Sequence, residues 1–109
     1  MGLSTHVLDT ALGKPAVGIP VTVEHAPGGD WVVLRHAETD GDGRCASLLQ
    51  DSLAEGLYRI RFETAAYFEA QAIATLYPYV EIVFEVKDTR HHHIPLLLTA
   101  NGYTTYRGS

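Results

Sequence analysis

The chain has 109 residues, 46% of them apolar, enough to bury a core without staples, so a single domain over 1–109 is expected. A net charge of −5 excludes a general nucleic-acid binder, which carries a basic stripe, and one cysteine, Cys45, excludes an internal disulfide. No apolar run approaches the ~20 residues of a membrane helix, and Met1 to His6 lacks a basic and apolar targeting pattern, so a cytoplasmic protein without membrane or nucleic-acid partners is expected.

In chain order, Leu3 to Asp9 alternates as a strand does: Leu3, Thr5 and Val7 on one face, Ser4, His6 and Leu8 on the other. Gly13 and Pro15 mark a loop. Gly18 to His25 reads as a second strand with Ile19, Val21 and Val23 toward the core, and Pro20 confines it to an edge or a strand start. After the turn Pro27-Gly28-Gly29-Asp30, Trp31 to Ala37 is rich in β-formers. Thr39 to Arg44 is a loop with two Asp-Gly pairs, followed by a short strand or coil through Leu48. Gly56 to Glu63 alternates cleanly, Tyr58, Ile60 and Phe62 against Leu57, Arg59 and Arg61. Thr64 is a candidate cap for a helix from Ala65 to Ile73, stopped by Tyr77-Pro78. Tyr79 to Lys87 is another strand, with Val80, Ile82, Phe84 and Val86 on one face.

The tail reads as a hairpin. Asn101-Gly102 between two β-prone runs is the strongest short hairpin signal. Ile94, Leu96 and Leu98 suit a core, and His91, His93, Pro95 and Leu97 share the other face. Seven to eight short strands plus one short helix predict an all-β, two-sheet antiparallel sandwich.

Several residue types bear on chemistry. Arg44, taken alone, is a solvated arginine neutralising Asp40 and Asp42. Its functional reading is an anion or oxyanion clamp, for which the guanidinium fork is suited. His91 and His93 share a strand face and invite a metal, but no Cys/His pair elsewhere supplies the remaining zinc ligands, so no metal is expected. His6 alone reads as an ordinary surface or core histidine, and Cys45 as a small buried hydrophobe. The Asp-Gly pairs lack an EF-hand register. No phosphate loop or nucleophile elbow is present.

In combination these pieces resemble the 5-hydroxyisourate hydrolase branch of the transthyretin-like family, over essentially the whole chain. The resemblance is carried by Leu3-Ser4-Thr5-His6-Val7-Leu8-Asp9, by Asp40-Gly41-Asp42-Gly43-Arg44, and by His93-Ile94-Pro95-Leu96-Leu97-Leu98 with Tyr106-Arg107-Gly108-Ser109. The last of these is the most specific, since the hormone-carrying branch lacks it. The family has an aromatic residue where this chain has His92, and tends to have Ser-Pro where it has Thr99-Ala100. Aligning on Ile94-Pro95-Leu96 makes His93 the motif histidine.

The resemblance implies a transthyretin-like sandwich that forms a homotetramer with active sites where two dimers meet. Leu8 and Leu97, on otherwise polar faces, fit such a covered surface. It implies hydrolysis of the lactam of the small-molecule substrate 5-hydroxyisourate to 2-oxo-4-hydroxy-4-carboxy-5-ureidoimidazoline, a step of urate breakdown, with no cofactor. His6, Arg44 and His93 are the catalytic candidates. His6 is the preferred base, Arg44 the oxyanion or substrate clamp, and His93 the group that protonates or orients the ring. Tyr106, Arg107, Gly108 and Ser109 are the substrate-binding candidates, Ser109 through its hydroxyl and a terminal carboxylate. The competing readings are a transthyretin-like carrier of a small aromatic ligand and a structural sandwich with no site.

Overall fold

The computed structural model describes residues 2–109. Its elements in order are β1 (Leu3–Asp9), β2 (Lys14–Pro15), β3 (Pro20–His25), β4 (Val32–Glu38), β5 (Arg44–Leu49), β6 (Gly56–Phe62), α1 (Ala65–Glu69), β7 (Val80–Val86), β8 (His92–His93), β9 (Leu96–Thr99) and β10 (Gly102–Thr105). They form two sheets, so the expected sandwich with one short helix is what the chain adopts. The count of ten strands exceeds seven to eight because β2 and β8 are two-residue pieces.

One sheet runs β4-β3-β6-β7, all antiparallel. The other is built around β1. Antiparallel β5 and β2 flank one edge of β1, parallel β8 and β9 the other, and β10 closes the sheet beyond β9. Alternation decides what is buried. Leu3 and Val7 of β1, Val21 and Val23 of β3, Ile60 and Phe62 of β6, and Leu96 and Leu98 of β9 are all at most 1% exposed and fill the space between the sheets.

Several buried polar groups are paired, whereas His92 Nδ1 is buried without a partner among the described residues. Thr5 Oγ1 donates to Ile94 O at 2.6 Å. Thr39 Oγ1 accepts from Ile19 N and donates to Ala16 O. Asp9 takes the N–H groups of Ala11 and Leu12 on one carboxylate oxygen and the Tyr67 hydroxyl, at 2.7 Å, on the other. Burial, and then that bond to Asp9, push the Tyr67 phenol up to about 12.

The outward face of the β4-β3-β6-β7 sheet carries ion pairs. Arg59 meets Glu24 at 2.7 Å and lies over the Trp31 ring, and Arg61 meets Glu81 at 3.4 Å and lies over the Tyr79 ring.

Four local expectations shift. The helix is shorter than Ala65 to Ile73. Ala72, at φ +56, takes the left-handed position, and bonds from Ile73 N to Phe68 O and from Ala72 N to Glu69 O close the helix as a Schellman motif. Thr64 makes no side-chain cap; its hydroxyl donates to Tyr77 O instead. The tail does not run as one strand from His91, because Pro95 lacks an N–H and separates β8 from β9. The hairpin turns at Ala100-Asn101, one residue early, and Gly102 pairs with Thr99.

Candidate active site

The outward face of the β1 sheet gathers the polar groups. Residues directly opposite on paired strands share a face. His6 of β1 is the strand partner of Arg44 at the start of β5. Ser4, two residues earlier on the same face of β1, is the partner of His93 in β8. Leu8 of β1 lies opposite Leu97 of β9. One strip of the sheet therefore carries Ser4, His6, Arg44 and His93, and its continuation carries the two leucines.

Arg44 is delivered by its loop. Asp40 Oδ1 accepts from the N–H groups of Asp42 and Arg44, both at 2.9 Å, and these bonds hold its carboxyl below the usual range. Gly43 has φ +75, and a Cβ there would lie 2.5 Å from Val7 O. Only glycine lets the loop approach β1 so closely and feed Arg44 opposite His6. Among the described residues the Arg44 guanidinium makes no ion pair and no hydrogen bond. Arg44 is exposed, as its solvated reading expects, and its charge helps lower the Asp40 carboxyl from a distance without a close ion pair.

The imidazoles are oriented by hydrogen bonds. His6 Nε2 lies 2.9 Å from Asp42 O. A carbonyl only accepts, so Nε2 carries the proton and Nδ1 holds the lone pair. His93 Nδ1 is 2.7 Å from Ser4 Oγ, and the same hydroxyl is 2.7 Å from His91 Nε2. Burial, followed by the charges of Arg44, His6 and His91, holds His93 below the ordinary histidine value.

Ser4, Arg44, Ala46, His91, His93 and Ser109 line a hollow of about 350 Å³ at this face. His6 stands beside it, opposite Arg44, and is not part of the lining. Gly108 N donates to His93 O at 2.7 Å, and a Cβ on Gly108 would lie 2.5 Å from the His93 ring. The tail backbone thus rests directly on that imidazole and carries Ser109 to the hollow.

Tyr106 and Arg107 go elsewhere. They line a second hollow, of about 300 Å³, with His92 and β7 residues. Arg107 grips Asp88 with two bonds of 3.1 Å, and with Arg90 it holds that carboxyl well below its usual range. Of the seven candidate residues, the structure gathers His6, Arg44, His93, Gly108 and Ser109, and sets Tyr106 and Arg107 apart as tail and tail anchor.

Sequence reasoning missed Ser4 and His91 as members of this cluster. Their signal was present in the alternation, since Ser4 shares a strand face with His6, and His91 with His93. His92, 3% exposed, faces inward toward Phe84. Among the described residues no group of three or more His, Cys, Asp or Glu side chains could hold a metal ion, and no helix is long and apolar enough to cross a membrane.

Residues 3–108 match the model of the HIUase/Transthyretin family. The 5-hydroxyisourate hydrolase of Mus musculus is 46% identical, over 98% of this chain and 94% of that protein. The solved structure of Klebsiella pneumoniae 5-hydroxyisourate hydrolase superposes with a TM-score of 0.87 at 34% identity, covering 98% of both chains. Sea bream transthyretin, solved in complex with thyroxine, superposes with a TM-score of 0.91 at 29% identity over 97% of this chain and 93% of that one. Backbone shape alone therefore does not separate an enzyme from a carrier; the side chains on the β1 sheet must.

Proposed function

This chain belongs to the HIUase/Transthyretin family, and from that premise we propose that it is a 5-hydroxyisourate hydrolase whose site lies on the outward face of the β1 sheet. The observation that carries the reading is the unpaired Arg44 beside His6 and His93. A lactam opened by water needs a base, a cation for the developing oxyanion, and a donor at the leaving nitrogen. These three side chains supply them.

In this reading His6 Nδ1, the free lone pair of a ring whose Nε2–H is held by Asp42 O, takes a proton from water. The water oxygen bonds to the lactam carbon. Arg44 holds the oxyanion. The C–N bond then breaks, and the ring nitrogen, oriented by the His93 N–H, takes up the proton that His6 removed from water, so that His6 is restored and water is added across the amide. The lowered basicity of His93 supports its being a neutral N–H donor in the working pH range. Ser109 lies where it can contact substrate. Tyr106 and Arg107 are proposed from the family resemblance as substrate contacts; Arg107 also clamps Asp88 and so fixes Gly108 and Ser109.

The carrier reading is less favoured, because arginine and histidines in the hollow suit a polar, hydrogen-bonding substrate better than an apolar ligand. The proposed assembly is a homotetramer that closes over Leu8 and Leu97 and completes the site from two dimers. The deciding measurement is the ultraviolet absorbance of 5-hydroxyisourate freshly made from urate by uricase. Decay much faster with the protein than without it is expected, and an unchanged decay removes the hydrolase reading.

A further inference from the structure

Three bonds link the amide of Gly2 to the ring of His93, and their direction is set at one end. Gly2 N–H lies 3.1 Å from His91 Nδ1. A backbone N–H only donates, so Nδ1 of His91 accepts, and the proton of the neutral ring sits on Nε2. That Nε2–H points at Ser4 Oγ, 2.7 Å away. Ser4 Oγ, having accepted from His91, has its own proton to give, and the other atom 2.7 Å from it is His93 Nδ1. Nδ1 of His93 therefore accepts, and its proton lies on Nε2.

We propose that Ser4 and His91 are positioning residues that lock His93 in the Nε2–H tautomer, so that it enters the reaction as a hydrogen-bond donor and not as the base. The proposal rests on the hydrolase reading for its consequence in catalysis, but not for the tautomer itself. Protonating His93 at Nδ1 would break the chain, because Ser4 Oγ would then face two donors and its own proton would lose its acceptor. His91 cannot take that proton while Gly2 occupies its Nδ1. The relay thus opposes the imidazolium, in concert with the groups around the ring: Arg44 from β5, His6 from β1, His91 before β8, and the Gly108–Ser109 tail. Ser4 itself is 7% exposed and held between two strands, so water does not readily replace its hydroxyl.

Long-range ¹H–¹⁵N spectra of the uniformly labelled, substrate-free protein at neutral pH test this. Both His91 and His93 should be protonated on Nε2. In Ser4→Ala, His93 should become a mixture of tautomers and titrate at a higher pH. kcat at neutral pH should fall by about 10- to 100-fold, the loss typical when the partner orienting a functional imidazole is removed. The acid limb of kcat should move upward with it. Ser4→Thr, which keeps a hydroxyl, should restore the tautomer. A wild-type His93 protonated on Nδ1, or a Ser4→Ala protein whose His93 keeps the wild-type tautomer, overturns the relay. Because the spectra need no substrate, that failure leaves the hydrolase reading standing. Absence of turnover with the tautomers as stated removes only the hydrolase reading.

Discussion

Arg44 and Gly108 show how single residues decide this site. Arg44 makes no close ion pair among the described residues, so truncation to alanine should leave the fold intact and reduce kcat/KM by about 10²–10³, the usual cost of one oxyanion donor. Urea unfolding beside the rate assay separates the two effects. Gly108 lies too close to His93 for any side chain. Gly108→Ala should displace the tail and lower kcat, with the loss visible as a shifted His93 resonance. His92 and His93 are both held below the ordinary histidine value of about 6.5, by burial first and then by nearby positive charge. The unfolded chain therefore binds protons more readily than the folded one. Stability should be fully present above about pH 6.5 and decline as pH falls through the lower folded values, which thermal melts between pH 7 and 5 would record. The sequence marked His6, Arg44 and His93 because chemistry is written in residue type. It could not say that Arg107 serves Asp88, since a pairing across 19 positions is decided by where the tail folds back.

Secondary structure was legible wherever alternation ran long, as in β1, β3, β6 and β7. It failed where a backbone detail interrupts the pattern. Ala72 adopts a left-handed φ that nothing in its side chain announces. Arg44, expected in a loop, begins β5, because Asp40 folds the loop tightly enough to bring residue 44 level with His6. The short helix puts Phe68 into the core and the Tyr67 hydroxyl on Asp9. Tyr67→Phe leaves a buried carboxylate oxygen without its donor and should cost about 1–3 kcal/mol, read as a lower denaturant midpoint at unchanged m-value. Removing residues 106–109 should abolish turnover while the sheets persist, because Gly108 rests on His93 and Ser109 reaches the hollow without either contributing to the core; far-ultraviolet circular dichroism and the absorbance assay together check this.

At the level of the whole molecule the two outward faces differ. One carries Arg–Glu pairs over Trp31 and Tyr79, with Val33, Leu57 and Val83 exposed among them. The other sets Leu8 against Leu97 next to cationic and imidazole groups, a mixture that water alone does not favour. The proposed tetramer should elute near four times the 11.9 kDa chain mass. Leu97→Asp should shift it to smaller species and reduce activity while His6, Arg44 and His93 remain in place; elution unchanged by that substitution would count against a covered face. Faces of this kind are readable in sequence only as anomalies, such as a leucine where a polar residue is expected, because the copy that covers them is outside the sequence.

The pairing of β1 with the tail has a further consequence. Ser4 and His93 are 89 positions apart. On the ribosome, the first segment emerges long before the last is made, so β1 must wait without two of its neighbours. Until β8 and β9 have been made, one side of the central strand remains an open edge that invites aggregation during that interval.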